Sequence, residues 1–310
     1  MKIAVTGAAG LVGQNLIARA KLRGNVEIVA FDKHPANTAI LRRLHPDIRV
    51  VEADLAVPGQ WAEALTGVQS VILGHAQIGG LVENEFTRNN ITATQNLLAA
   101  LRAQNVDCRL IHISSSVVNS AAFDWYTQTK KAQESIVLAS GYPVVVLRPT
   151  LMFGWFDRKH LGWLARFMKH SPAFPVPGNG RYLRQPLYVG DFCDIIMSCL
   201  ASGLATATFN ISGQEKIDYI DLVRLVREAT GATTPIVRIP FTLFRALLAG
   251  YGMFDHSPPF TTRQLAALVI PETFEVIDWP RMFNVRSTPL RAAMMETFRD
   301  PTYSTIVLEF

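Results

Sequence analysis

Cysteine is scarce. Cys108, Cys193 and Cys199 are the three in 310 residues, with no CxxC spacing among them. No disulfide framework can be drawn from them, and reduced thiols in a cytoplasmic protein are expected. Long apolar runs are missing too. The best candidate, residues 239–254, is broken by Pro240 and Arg245, so nothing reaches the roughly 20 uncharged residues of a bilayer span. That stretch reads as a buried or partly exposed helix of a small domain, with membrane-surface contact as the alternative. Met1-Lys2 runs straight into the strand-like Ile3-Ala4-Val5, so no signal peptide is expected. Basic residues are dispersed within a net charge of +5, which argues against a nucleic-acid partner. The seven histidines show no metal-ligand spacing, and no metal is expected. His112 falls inside a strand and reads as a satisfied core histidine. No Gly-x-Ser-x-Gly nucleophile elbow occurs.

What is present is a chain able to bury a large core, with 49% hydrophobic and 18% charged residues. Continuously apolar, β-branched runs occur at 2–5, 27–31, 48–51, 70–73, 109–114 and 143–148. They alternate with helical patterns at 11–22, 82–103 and 124–139. Strands covered on both faces and separated by helices imply a doubly wound parallel α/β sheet. After Pro149 the rhythm breaks into an aromatic, Pro- and Gly-rich stretch. A strand at 186–189, a helix at 191–201 and a strand at 208–211 follow. The expected organisation is a dinucleotide-binding Rossmann domain from 1–150 and 187–213. A smaller, mostly helical substrate domain takes 151–186 and 214–310, with turns at Pro235, Pro240, Pro258-Pro259 and Pro271.

The first strand runs into Thr6-Gly7-Ala8-Ala9-Gly10-Leu11-Val12-Gly13 and then a helix. Glycines three apart let the backbone approach a pyrophosphate, and the helix N-terminus points unpaired N–H groups at it. The second strand ends at Asp32, placed to accept hydrogen bonds from the adenosine ribose and to repel a 2′-phosphate. NAD is therefore expected, with NADP kept open by Lys33, Arg42 and Arg43. Asp54 reads either as a contact to the adenine edge or as a helix N-cap.

Tyr126 and Lys130 stand four apart on a predicted helix and share one face. A tyrosine of pKa near 10 becomes a useful proton carrier at neutral pH when an ammonium and an oxidised nicotinamide stabilise its phenolate. Ser114-Ser115-Ser116 closes the fifth strand at the carboxyl edge, where open α/β sheets bind ligands. Arg148-Pro149-Thr150 closes the sixth and walls the same crevice.

Taken in order, the glycine turn, Asp32, Asp54, Asn90, Ser115, Tyr126/Lys130, Leu147-Arg-Pro-Thr150 with Phe153-Gly154, residues 184–191, and Phe209-Asn210 resemble the extended short-chain dehydrogenase/reductase family. That branch contains nucleotide-sugar epimerases and dehydratases, and the match spans nearly the whole chain. The resemblance implies Tyr126 as general acid/base, Lys130 on the nicotinamide ribose, and Ser115, with Ser116 as fallback, on the substrate oxygen. It implies cofactor contacts from Gly7, Ala9, Gly10, Leu11, Val12, Gly13, Asp32, Lys33, Asp54, Leu55, His75, Tyr126, Lys130, Pro149 and Met152. Ser115, Ser116, Tyr126 and Arg184 would meet substrate, Arg184 either on a sugar-nucleotide diphosphate or as a surface arginine. A homodimer through the helices at 82–103 and 124–139 is a family expectation.

Departures narrow the chemistry. The acidic pair that follows the catalytic hydroxyl in dehydratases is replaced by Ser116-Val117, which argues against sugar dehydration. The asparagine usual after the Arg-Pro motif is absent, and Asn119-Ser120 replaces the common Tyr-Gly. Phe153, Trp155, Phe156, Trp163 and Phe167 read mostly as core of the small domain, or else as the lining of a less polar substrate pocket. The expected activity is hydride transfer to or from a secondary alcohol or ketone carbon, as an epimerase of a nucleotide sugar or as a reductase or dehydrogenase of a less polar molecule. Residues 258–265 and 285–290 are similar to epimerase-like relatives and to an accessory subunit of respiratory complex I. They keep open a non-catalytic dinucleotide-binding module.

Overall fold

In the computed structural model, residues 1–24, 26–203, 206–251, 265, 268–270 and 272–309 are described. The first half alternates strand and helix: β1 (Lys2–Thr6), α1 (Leu11–Arg23), β2 (Glu27–Asp32), α2 (Pro35–Leu44), β3 (Arg49–Glu52) and β4 (Ser70–Leu73). It continues with α3 (Glu83–Phe86), a π turn (Thr87–Thr92), α4 (Ala93–Ala103), β5 (Arg109–Ile113), α5 (Trp125–Leu138) and β6 (Val144–Pro149). An excursion supplies β7 (Met152–Phe153), α6 (Leu161–His170), β8 (Phe174–Pro177), β9 (Leu183–Arg184) and β10 (Leu187–Tyr188). The chain then returns through α7 (Val189–Ala201) to β11 (Ala207–Ile211). It leaves again through β12 (Ile217–Asp218), α8 (Tyr219–Thr230), β13 (Ile236–Ile239) and α9 (Phe241–Tyr251), then short helices at Trp279–Phe283 and Leu290–Arg299.

Seven parallel strands form the main sheet in the order β3-β2-β1-β4-β5-β6-β11. The order reverses at β1, where Val5 pairs with Ala30 on one side and Ile72 on the other. That reversal opens a crevice at the carboxyl ends, the place where such sheets bind ligands. Apolar side chains on both strand faces account for the burial. Leu16, Ile17, Phe192 and Ile196 from α1 and α7 cover one face of the sheet. Trp61, Leu65, Leu97, Leu98, Leu101 and Val137 cover the other.

A separate cluster of Phe153, Leu164, Met168, Phe174, Val223, Val226 and Met294 forms the core of the smaller unit. Two parts of the 214–310 stretch pack on the sheet unit instead. Trp279 and Phe283 join the α1/α7 core, while Leu308 joins Ala18, Trp155 and Phe156 beside Tyr303. Such returns are invisible to local patterning because they pair residues far apart in sequence, 67 positions for Trp279 with Ser212 and 85 for Phe283 with Ser198.

The expected continuous helix at 82–103 is interrupted by the π turn. Its buried Asn90 accepts the Gln77 N–H at 2.6 Å and donates to Thr129 Oγ1 at 2.9 Å. The wider turn lets a polar side chain face inward without breaking the helix, a use to which such turns are often put. Most of the 239–254 stretch is α9, where Leu243 and Leu247 are exposed. Residues 252–254, the turns at Pro258-Pro259 and Pro271, and the 258–265 motif apart from Leu265 lie outside the described residues. Among the described residues no helix is long and apolar enough to cross a membrane, and no cluster of side chains could hold a metal ion.

Candidate active site

The crevice holds two adjoining cavities of about 570 and 230 Å³. Gly7 and Gly10 line both. Gly7 has φ +66°, and a Cβ there would lie 2.7–2.8 Å from the backbone of Gly74 and His75. A Cβ on Gly13 would sit 2.5 Å from the Ala8 backbone. The first position needs glycine for the turn, the second for the approach of α1 to the strand it follows. Gly10 caps the N-terminus of α1 without a side-chain partner, leaving its first N–H groups directed into the crevice. The donor geometry and the volume fit a dinucleotide diphosphate.

Asp32 and Lys33 line the larger cavity with Asp54, Leu55 and His75. The Asp32 carboxylate accepts the N–H groups of Ala9 at 2.9 Å and His34 at 3.0 Å, while burial pushes its pKa upward. Asp54 lines the cavity and pairs with Arg88, and it accepts the Ala56 N–H in a turn; the next helix, Gln60–Leu65, is capped by Gly59, so the N-cap reading does not hold. Arg42 is committed to Glu52, and Lys33 donates to Asn89. Leu11, Val12, Met152, Tyr126 and Lys130 line the smaller cavity. Pro149 ends β6, paired with Ile211, and lines neither cavity.

α5 carries the tyrosine and lysine. Asp124 caps it, accepting the Thr127 N–H at 2.9 Å. The Ser115 hydroxyl lies close enough to the Tyr126 phenol to pull its pKa downward. Ser115 is the residue before the short turn that Ser116 begins, and its hydroxyl also accepts the Val117 N–H. Ser114 is the one of the three serines that lines the smaller cavity, its hydroxyl donating to Glu134, which Arg148 grips with two guanidinium nitrogens; Ser115 and Ser116 line neither cavity. Arg148 also donates to Asn119, which donates to Asn210. Lys130 is fully enclosed, its Nζ donating to Ile113 O at 3.0 Å and Gln133 Oε1 at 2.6 Å.

Electrostatics depart from expectation at the tyrosine. Burial raises the Tyr126 pKa, the Ser115 hydroxyl opposes this, and Asp124 adds to the rise. Burial also brings Lys130 down to about 7, against a smaller upward pull from Glu134. An enclosed ammonium close to half-deprotonated at neutral pH is a weak phenolate stabiliser, so the lowering expected at Tyr126 is not supplied by the protein alone.

Arg184 also differs from the diphosphate role. Its guanidinium donates to the carbonyls of Leu183, Leu268 and Ile270 and lies over the Tyr182 ring, outside both cavities. His112 is buried core as expected, yet neither ring nitrogen finds a partner among the described residues, so it is not satisfied. Of the aromatics after Pro149, Phe153, Trp155 and Phe156 are buried, and Trp163 stacks on Phe167. Of these five, Phe156 reaches the crevice and Phe153 lines only a small separate cavity beside Tyr188 and Trp279, which limits the pocket-lining reading at the crevice to Phe156.

Sequence reasoning missed Gln133, the Glu134–Arg148 pair, the Arg158-Lys159 strap that lines both cavities, and Leu308 at the back of the smaller one. Adjacent basic residues shortly after Phe153-Gly154 were a legible sign of the strap. Leu308 carried none.

Comparison with known proteins agrees with this geometry. The chain is 24% identical over 269 residues to a 4-hydroxy-2-methyl-3-oxo-4-farnesyl-3,4-dihydroquinoline-1-oxide ketoreductase of Stigmatella aurantiaca, covering 79% of this chain and 78% of the relative. It is 27% identical to a dTDP-glucose 4,6-dehydratase of Streptomyces niveus, covering 77% and 80%. The crystal structure of a UDP-glucuronic acid 4-epimerase from Bacillus cereus in complex with NAD shares the fold, with TM-score 0.69, 20% identity, and coverage of 87% and 95%. The description of the NAD dependent epimerase/dehydratase family matches residues 3–212. This protein belongs to that family.

Proposed function

We propose that the protein moves a hydride between NAD and a ketone or secondary alcohol carbon, and that the released molecule is a less polar alcohol or ketone. The observation that carries this is that the Tyr126 phenol and the buried Lys130, one turn further along α5, line one cavity, with Ser115 acting on the phenol from the end of β5. Gly7, Gly10, the α1 N-terminus and Asp32 would hold the dinucleotide. When bound, its reduced nicotinamide supplies the hydride. Tyr126, kept protonated by burial, is suited to donate the proton that the carbonyl oxygen needs as it becomes an alkoxide. Ser115 would hydrogen-bond the same oxygen and hold it in place. One hydride and one proton added to the ketone give the alcohol. Asp32 on the ribose, with Arg42 tied to Glu52, supports NAD over NADP.

Two observations support a less polar substrate. Arg184 is already engaged by backbone carbonyls, and two aromatics flanking the Asp124 cap just before the tyrosine are outward, Phe123 at 88% exposure and Trp125 at 39%. Epimerisation of a nucleotide sugar is the second reading, favoured by the similarity to the Streptomyces niveus enzyme. Consumption of NADH against a panel of ketones tests the first reading, and conversion of a nucleotide sugar to its epimer with no net change in NADH tests the second. Replacing Tyr126→Phe is expected to lower kcat on the accepted substrate about 100-fold or more while NADH binding holds. Turnover kept within a few-fold would remove Tyr126 from the reaction.

A further inference from the structure

Lys130 has three N–H bonds as an ammonium, and two of them are accounted for inside the protein. One goes to Ile113 O at 3.0 Å and one to Gln133 Oε1 at 2.6 Å. Lys130 also lines the smaller cavity beside Tyr126 and Met152, so the third position faces the groove.

The orientation of the Gln133 amide is decided by its own partners. Its Nε2 donates to Thr94 Oγ1 at 3.0 Å and to His75 O at 3.4 Å. The Thr94 hydroxyl gives its proton to Asn90 O at 2.7 Å, so its oxygen can only accept from Gln133 and from His75 Nε2, 3.0 Å away. His75 then carries its proton on Nε2, and Nδ1 accepts from the Thr6 hydroxyl at 2.7 Å. A flipped amide would set Nε2 against an ammonium and Oε1 against the His75 carbonyl. The network therefore permits one orientation, with the carbonyl oxygen toward Lys130.

We propose that Gln133 is a positioning residue for Lys130: its amide oxygen, locked through Thr94 and His75, holds the side chain so that the remaining Nζ position points at the cofactor and the Tyr126 phenol. This rests on the reading of Lys130 as part of a hydride-transfer site. The titratable groups facing Lys130 are Tyr126 and Glu134 from its own helix, His112 from β5 and His75 from the segment after β4. Glu134 is held by Arg148. Both imidazoles are kept neutral by burial, His75 down to about 3. Gln133 is thus the neutral acceptor through which the basicity of Lys130 can be tuned without altering another charge.

The test uses the intact chain with Gln133→Leu and Gln133→Glu, following NADH binding by fluorescence across pH and, in parallel, ketone reduction. Loss of the acceptor in Gln133→Leu should move the alkaline midpoint of NADH binding down by about one pH unit, and the carboxylate of Gln133→Glu should move it up by about as much. Opposite shifts support the proposal. Unchanged midpoints, or shifts in one direction, overturn it, because a packing defect has no reason to follow the sign of the charge. If Gln133→Leu does not fold, Gln133→Glu carries the upward arm and Thr94→Val, which releases the amide, the downward one. Opposite shifts in binding with no ketone reduced by the unaltered chain would sink the hydride-transfer reading while leaving the positioning role standing.

Discussion

A lysine enclosed among carbonyls, neutral imidazoles and a tyrosine is an expensive residue to keep. Lys130 is brought from an ordinary value of 10.5 to about 7 chiefly by burial. Between those two values the unfolded chain binds the proton that the folded chain has released, so stability rises with pH across that window. Below it the charged form is buried at full cost. Lys130→Met is therefore expected to melt above the unaltered protein at about pH 6, with the gap narrowing toward about pH 10. Thermal melts at several pH values check this, and a gap that widens with pH would contradict it. Function here is retained against stability, as is common where a pKa is tuned for chemistry.

Most of the site could be read at this scale. Tyr126, Lys130 and Asp32 sit where spacing and strand ends put them, because local geometry suffices for i,i+4 pairs and for the residue that ends a strand. Arg184 could not be placed so. Whether an arginine meets a ligand or a carbonyl depends on what the chain does more than eighty residues later, at Leu268 and Ile270. The direction of the Tyr126 shift was likewise hidden, since burial exceeds every local partner.

At the scale of elements, the junction of β1 with α1 carries the cofactor cradle, and its glycines divide their labour. Gly13→Ala would drive a Cβ to 2.5 Å from the Ala8 backbone, which cannot yield as a flexible side chain would. A loss of about 1–3 kcal/mol in stability is expected from this overpacking, together with weakened NADH binding. Gly10→Ala meets only Gly7 O at 3.3 Å and should cost less in stability. Chemical denaturation and NADH titration of the pair separate the two roles. Equal stability losses would show that helix approach is not what Gly13 provides. The parallel sheet was legible because its strands are apolar on both faces. The break in the helix at 82–103 was not, because a π turn leaves the apolar periodicity of Leu97, Leu98 and Leu101 intact and changes only where Asn90 points.

At the scale of the molecule, the two units are joined by residues that local sequence assigned to one of them. Trp279 lies in the sheet core at 1% exposure, with Nε1 donating to Ser212 O at 2.9 Å. Trp279→Ala removes a large buried ring and its hydrogen bond, and a loss of about 3–5 kcal/mol in urea-induced unfolding is expected. A loss below about 1 kcal/mol would mean that the ring is not integral to that core.

The end of the described chain has a practical meaning. Glu309 exchanges two backbone hydrogen bonds with the Asn37 side chain at 2.9 and 3.1 Å, and Leu308 beside it helps wall the compartment holding Tyr126. A probe coupled at position 309 would therefore pull on the wall of that compartment. Position 1, 44% exposed and at the opposite end of β1 from the glycine turn, offers a handle that leaves the compartment alone.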